Sequence, residues 1–439
     1  MEQNTFHSVT LMPDACKGCI SCMKRCPTEA IRVRGGKATI ISERCIDCGE
    51  CIRICPSHAK RAVTDGYEQL ERFRWKIALP APSFYGQFSG IDDINYILTG
   101  LKHIGFDDVF EVSRAAEIVS LFSRKSLAML KDTMTGPVIS SACPAVVRLI
   151  KIRFPALCAN VLPINEPIHI AAQLAKQEAM QKTGLKEEEI GVFFITPCPA
   201  KVTSAKYPVG SERTYIDGTL SATDTYMKML SALKNIKEPE NLMESGIVGI
   251  NWANSGGEAA GLLFDNYISA DGIENVIKVL EEVEDEKLND IDFVELNACP
   301  GGCVGGVLNV ANGYVARARI KTLRKYLPLT KSKPVEQEEQ NAILFWENNL
   351  EYQAIYKLDD DMAVAMDKMK QIDQIKNSLP GLDCGSCGAP TCHAFAEDVV
   401  CGLANEHDCI IRLRDRMSKS APEVIPAPFR TNEKESEKQ

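Results

Sequence analysis

Cys143, Cys198, Cys299 and Cys303 stand in three patches: Ser-Ser-Ala-Cys-Pro at Ser140–Pro144, Thr-Pro-Cys-Pro-Ala-Lys at Thr196–Lys201, and Ala-Cys-Pro-Gly-Gly-Cys-Val-Gly-Gly at Ala298–Gly306. Each cysteine lies beside Pro or Gly, just after a β-branched or aromatic run. That reads as a strand, then a turn, with a thiolate at the turn. Four such thiolates, if they converge, can hold a cubane iron–sulfur cluster.

A second set of thiols has stricter spacing. Cys16-x2-Cys19-x2-Cys22-x3-Cys26-Pro27 is followed by Cys45-x2-Cys48-x2-Cys51-x3-Cys55-Pro56. This is the bacterial two-cluster pattern, in which the fourth cysteine of each run ligates the other cluster. One 4Fe–4S cluster then takes Cys16, Cys19, Cys22 and Cys55, and the other takes Cys45, Cys48, Cys51 and Cys26. Paired zinc knuckles are the rival reading, but they do not usually use four-cysteine runs ending in Cys-Pro. Between the runs, Ile31 to Ile41 alternates around Gly35-Gly36, which predicts a hairpin. The domain is too small for a large core, so metal is expected to staple it. His58, shortly after Cys55, is expected at the surface.

Near the other end, Cys384-x2-Cys387-Gly-x3-Cys392 is completed by Cys409. The pattern resembles the small 4Fe–4S module of corrinoid iron–sulfur proteins and of one electron-transfer subunit of the Rnf complex, with zinc as the alternative. A helix is expected from Asp359 through Asn377, ended by Pro380-Gly381, and another over Thr391–Gly402. On the first, Met362, Met366, Met369 and Ile372 form a stripe that reads as core packing. Cys158 and Cys401 lie outside every motif and read as buried small hydrophobes. The tail from Ala421 is Pro- and charge-rich and is expected to be disordered.

Eighteen cysteines in a chain of 439 residues with this grouping point to metal rather than disulfides. Hydrophobic content of 45% and charged content of 25% are those of an ordinary soluble globular protein. A net charge of −9 argues against a nucleic-acid partner and an anionic membrane surface. Met1 to Ala15 shows no leader-like basic and apolar regions, and no stretch is apolar enough to span a bilayer, so a cytoplasmic location is expected.

From Arg74 to Leu327 short apolar runs alternate with helical patterns. Lys76–Pro80, Val109–Val112, Pro137–Ser141, Ile190–Thr196, Gly246–Asn251 and Phe293–Leu296 read as buried strands. Asp92–His103 and Pro167–Lys182 read as helices, stopped by Gly105 and Gly184. This is an α/β pattern with mostly parallel strands, and its motif cysteines fall at the carboxyl ends where such sheets bind ligands.

Taken together, the three patches resemble the H-cluster domain of the iron-only, or FeFe, hydrogenases, in family order and over roughly the middle two-thirds of the chain. The resemblance implies that Cys143, Cys198, Cys299 and Cys303 hold a 4Fe–4S cube, and that Cys303 also bridges to a diiron site carrying CO, cyanide and a dithiolate bridge. Gly105 to Val112 looks like the strand leading into the family's proton channel, and Asn251-Trp-Ala-Asn-Ser-Gly-Gly-Glu-Ala like its Gly-Gly segment. Lys201 matches the lysine that hydrogen-bonds a cyanide, the alternative being an exposed lysine. The implied fold is a two-lobed α/β H-cluster domain with mostly parallel sheets. It is flanked by an N-terminal α+β ferredoxin-like domain and a small C-terminal helical Fe–S module. The boundaries expected are 1–70, 74–330, 340–420 and a tail at 421–439.

The departures from the family pattern carry as much meaning. Fast members read Thr-Ser-Cys-Cys-Pro at the first patch and pass a proton through the first of those cysteines; here that position is Ala142. Their downstream Glu-Glu pair aligns with Phe122 and Ser123, a further glutamate with Ser204, and two methionines with Thr196 and Asn297. Glu166 and Glu295 are candidate replacement carriers, though each is equally readable as a surface or capping residue. These substitutions match the branch assigned a sensory role. The expectation is a slow hydrogenase that interconverts H2 with protons and electrons and serves hydrogen sensing. Its expected partners are a redox protein such as ferredoxin or a signalling protein, separate maturases, and a second copy in a homodimer. An ordinary ferredoxin-linked hydrogenase with another proton route is one alternative. A Narf-like electron-transfer or assembly protein without a diiron site is the other.

Overall fold

The computed structural model describes residues 6–130, 135–332, 343–355 and 358–420. The tail expected to be disordered lies outside them. The chain divides into two compact units. The larger holds Met1–Thr10, Cys45–Arg53 and Arg61–Gln353, and the smaller holds Leu11–Arg44, Ile54–Lys60 and Ala354–Gln439.

In chain order the strands are β1 (Val9–Leu11), β2 (Ile31–Arg34), β3 (Lys37–Ile40), β4 (Lys60–Ala62), β5 (Trp75–Pro80), β6 (Asp108–Val109), β7 (Val138–Ile139), β8 (Ile190–Thr196), β9 (Gly218–Ser221), β10 (Tyr267–Asp271) and β11 (Phe293–Asn297). The larger unit carries two parallel sheets, one ordered β6-β5-β8-β9 and the other β10-β11-β7. β8 is buried along its whole length, as a continuous apolar run in a parallel sheet should be. Its residues alternate between two cores: Val192 and Phe194 face one, Phe193 and Ile195 the other. A third core lies against the second sheet and includes Val294, Leu296 and Ile139.

The parallel register sets where the strands stop. β5 and β8 end together, with Pro80 opposite Ile195, and β9 ends with Ser221 opposite Thr196. Several helices that leave these ends start on proline: Pro82, Pro144, Pro167 and Pro199. Proline fits the first helical position because its missing N–H has no helical partner there.

The sequence-based elements differ from the structure at identifiable places. Gly246–Asn251 is not a strand; Ile247–Asn251 is a short helix. An apolar run of that length does not distinguish the two by periodicity. Gly249 packs so closely that a Cβ would lie 2.0 Å from the Ser113 carbonyl oxygen. The run expected over Val109–Val112 stops at Val109, and Val112 starts a helix to Leu130. β9 and β10 were not expected.

In the smaller unit β2 and β3 form the expected hairpin, Ile31 opposite Ile40. Helices Met362–Ser378 and Cys392–Val400 flank a small core of Leu379, Ala389, Phe395 and Cys409. The methionine stripe is not core: Met362, Met366 and Met369 are exposed, and only Ile372 is buried. The helix is long for so small a module, and its apolar stripe exceeds what the core below can cover. Cys401 is also exposed, since it caps the end of its helix; Cys158 is half-buried beside the third core. His58 is exposed as expected.

Candidate active site

Cys143 and Cys198 are the N-cap residues of helices Pro144–Arg153 and Pro199–Lys206, each in extended conformation. A helix N-terminus carries partial positive charge and favours a thiolate. Cys299 and Cys303 follow β11 through a loop in which Gly301 and Gly302 have positive φ. At Gly302 a Cβ would lie 2.4 Å from the Ser255 amide nitrogen, so only glycine lets the two loops close.

The four thiols come together electrostatically. Burial, and then the charges of neighbouring thiolates, raise Cys198, Cys299 and Cys303, with Cys299 pushed up to about 12. Cys143 contributes to the rise at both Cys299 and Cys303. Thiols so placed stay protonated at neutral pH unless a metal takes the proton's place. A metal cluster therefore fits this donor set.

Lys201 stands one helical turn beyond Cys198 and is buried, not exposed. Its Nζ donates to the Ala142 carbonyl at 3.0 Å and pairs with Glu166 Oε2 at 3.3 Å. Burial opposes its charge, but Glu166 and the thiolates of Cys303, Cys198 and Cys143 outweigh burial and raise its pKa. A fixed cation thus looks into the site, suited to an anionic ligand.

Lys201, Cys303 and Ala142 share a small cavity of about 50 Å³ with Glu258, Glu295 and Asn297. Most of the remaining wall is apolar, including Pro82, Val112, Ile168, Phe194 and Trp252. Glu295 is buried and capped by the amides of Gly256 and Ala259 and by Asn297 Nδ2, at 2.9, 2.8 and 2.8 Å. Glu258 accepts from Ser140 Oγ at 2.6 Å. Burial and the charge of Glu295 raise Glu258 to about 8, and burial raises Glu295 against its three donors. Burial and mutual repulsion thus favour a proton held by the Glu258–Glu295 pair.

Glu166 is also buried but stands behind Lys201. Ser204 Oγ donates to its Oε1 at 2.5 Å, and His169 Nε2 lies 3.3 Å from that hydroxyl. Burial lowers the His169 pKa, outweighing the opposing pull of Glu166. Thr196 Oγ1 donates to the Cys198 carbonyl at 3.0 Å. Phe122 packs on the first core, and the hydroxyl of Ser123 is buried with no hydrogen-bond partner among the described residues. Glu258, Ser140 and His169 were not singled out from sequence. Glu258 sits in the quoted Gly-Gly-Glu segment, where only a fold tells a helix-start glutamate from a cavity wall.

Cys45, Cys48 and Cys51 of the second cysteine run belong to the same unit, and Cys55 to the smaller one. Asp47 accepts from the amides of Ser8 and Val9 at 3.1 and 3.0 Å, and from Thr203 Oγ1 at 2.8 Å. Arg148 lies 3.5 Å from its carboxylate. Arg53 Nη2 donates to the Gly305 carbonyl at 2.8 Å. These bonds fix Cys45, Cys48 and Cys51 against the elements that carry Cys198 and Cys303.

In the smaller unit, burial raises Cys22 and the charges of Cys19, Cys55 and Cys16 add to it, so that this predicted quartet is together. Cys387 is raised likewise by burial, then by Cys409 and Cys384, and Cys392 packs on the same core. Cys26 lies in this unit, its sulfur accepting from the Ala30 amide at 3.2 Å.

A family model described as iron-only hydrogenase large subunit, C-terminal domain, matches residues 76–257 and 225–307, more than half of the chain. The chain belongs to the iron-only hydrogenase family. Iron-only hydrogenases are matched here with additional modules: a 4Fe-4S dicluster domain at 8–56 and an Fe–S cluster module at 379–411. Iron hydrogenase 1 of Clostridium pasteurianum is 24% identical over 263 residues, 49% of this chain and 46% of that protein, so the chain spans less than half the length of this relative. A FeFe-hydrogenase solved during stepwise H-cluster assembly superposes with a TM-score of 0.51 at 14% identity, covering 66% of this chain and 98% of that one. A glutamate-to-alanine variant of the FeFe-hydrogenase HydA1 from Chlamydomonas reinhardtii gives 0.50 at 15%, covering 66% and 98%. At such identity these two structures establish the shared hydrogenase fold. Among the described residues, no helix is long and apolar enough to cross a membrane.

Proposed function

We propose that the chain is a slow FeFe-hydrogenase, interconverting H2 with protons and electrons in a sensing or regulatory role. The observation that carries this reading is Ala142. It lies on the cavity wall beside Lys201 and Cys303, where a methyl group holds no exchangeable proton. Proton transfer by a general acid needs a group of suitable pKa within hydrogen-bond reach of the reacting atom. When bound, the diiron part of an H-cluster would supply the redox-active metal at which H2 is made or split. Cys143, Cys198, Cys299 and Cys303 would hold the cube, Cys303 would bridge to the diiron part, and Lys201 would fix an anionic ligand by charge. The apolar wall would exclude water.

A second reading, an ordinary ferredoxin-linked hydrogenase with its own proton route, is favoured by one observation. Glu258 and Glu295 line the cavity with Cys303, and burial together with the charge of Glu295 raises the Glu258 carboxyl to about 8. Glu166, on the far side of Lys201, serves in this proposal to hold the ammonium in place. Ferredoxin-type or signalling partners, maturases, a homodimer and a cytoplasmic location belong to the same proposal.

Two measurements on anaerobically matured protein test it. Infrared bands in the CO and cyanide stretching region are expected, and their absence would favour the Narf-like alternative. Hydrogen turnover is expected well below typical catalytic members. Turnover at roughly 10³ s⁻¹, the top of the usual enzyme range, would overturn the slow reading and leave the Glu258–Glu295 route.

A further inference from the structure

The C-terminal cysteine module is built onto the first cysteine run. Val33, on the hairpin strand β2, donates its amide to the Gly388 carbonyl at 2.9 Å. Gly388 has a φ of 82°, and a Cβ there would lie 2.0 Å from the Val33 carbonyl oxygen. Arg32 makes a two-pronged pair with Asp398, Nε to Oδ2 at 2.7 Å and Nη2 to Oδ1 at 3.2 Å. Arg34 joins the same carboxylate at 2.5 Å. Arg32 and Asp398 are both buried. Arg44 adds a pair to Glu397 at 3.0 Å. Buried, two-pronged pairs of this kind fix geometry, because a displaced partner leaves a charge without water.

The contact reaches the cysteine loops themselves. Gly385, between Cys384 and Cys387, lies so close to Met23, the neighbour of Cys22, that a Cβ would sit 2.9 Å from its Cε. Ile20, the neighbour of Cys19, is next at 3.4 Å. Lys24 Nζ donates to the carbonyls of Asp383 and Pro390 at 2.5 and 2.8 Å, bracketing the loop that carries Cys384 and Cys387. Gly385 and Gly388, both at positive φ, let the two loops close to van der Waals contact.

We infer that the Cys384–Cys387–Cys392–Cys409 site is wired in series with the Cys16–Cys19–Cys22–Cys55 site, as the outer end of one electron chain. This rests on reading both sets as iron–sulfur ligands. A separate, second outlet from the protein would not need the loops in contact. The exchange is of one electron: it leaves the C-terminal site and arrives at the Cys16–Cys55 site, with no bond formed or broken and no proton moved. The Arg32–Asp398 pair and the Val33–Gly388 bond hold the two sites at fixed separation.

The test uses the full chain, iron-loaded and reduced with dithionite, read by electron paramagnetic resonance alongside iron content. In the wild type the two reduced sites should broaden or split one another's signals. The Cys384→Ser/Cys387→Ser double variant should lose about four iron atoms per chain, one cube's worth, together with that interaction, the Cys16–Cys55 signal narrowing. Asp398→Asn should keep the iron and weaken the interaction. Fully loaded wild type whose spectrum is the plain sum of non-interacting signals would overturn the series arrangement. Iron content unchanged in the double cysteine variant would instead overturn the cluster reading on which it rests. As a check independent of iron, the Val33 amide should be protected from hydrogen exchange in wild type. Fast exchange there would show that the module is not seated on the hairpin.

Discussion

The Lys201 ammonium bonds the Ala142 carbonyl oxygen at 3.0 Å, so the side chain that would hold an anionic ligand is anchored at a residue whose own side chain has no exchangeable proton. The same ammonium pairs with Glu166, and the three residues come from three separate segments of the fold.

Removing the charge should therefore be costly even in metal-free protein. Lys201→Met leaves the buried Glu166 carboxylate with Ser204 as its remaining partner, and breaking a buried pair from one side costs about 3–5 kcal/mol. The denaturant midpoint should fall accordingly. Lys201→Met with Glu166→Gln should recover much of that loss, since no orphan charge remains. A double variant as unstable as the single one would mean that the pair is not what stabilises this corner.

Cys303 is the expected bridging thiolate. Cys303→Ser should abolish diiron infrared bands in matured protein while leaving the signals of the two N-terminal clusters. Persistence of the bands would move the bridge to another residue.

Glu258 should make folding stability depend on pH. Its carboxyl ionises near 4.5 when unfolded and near 8 when folded. Between those values the unfolded chain releases a proton that the native state keeps, so stability falls as pH rises through that window and levels off above it. At about 1.4 kcal/mol per pKa unit, the whole effect is on the order of a few kcal/mol. Glu258→Gln should flatten that slope, measured by denaturation from pH 5 to 9. An unchanged slope would show that Glu258 is ionised in the native protein.

Ala142→Cys should raise turnover or change its pH dependence, because it puts a thiol on the cavity wall. The gain should be modest, since one restored link does not rebuild a chain. Adding Phe122→Glu and Ser123→Glu should cost stability, because Ser123 is fully buried and Phe122 packs on the core. Ala142→Cys without any effect on rate or pH profile would indicate a proton route that does not pass this position.

The N- and C-terminal cysteine runs were legible because cluster ligation imposes close spacing, whereas Cys143, Cys198, Cys299 and Cys303 were read from their strand-and-turn patches and a family resemblance. β8, an uninterrupted apolar run, was legible too, and so was the helix ended by Gly184, whose φ of 70° is one glycine adopts readily. Less of the cavity wall was legible. Glu258 and Glu295 approach only when β11 and the Gly-Gly segment pack, across a separation no local pattern encodes. Lys201 was legible as a motif position, but its burial depends on Glu166 from another segment. The short helix Ile247–Asn251 was misread because apolar runs look alike, and the methionine stripe because periodicity records a face without saying what lies against it.

Pro82, Pro167 and Pro197 all stand on the cavity wall. Proline has no amide hydrogen, so this part of the lining is aprotic. The side chains there that can exchange a hydrogen with solvent reduce to a short list: Lys201, Glu258, Glu295, Asn297, Trp252 and the Cys303 thiol when unligated. Among side chains, transfer into heavy water would therefore label only these positions around the cavity. An isotope-sensitive side-chain vibration recorded there would belong to one of a handful of groups, each removable by a single substitution.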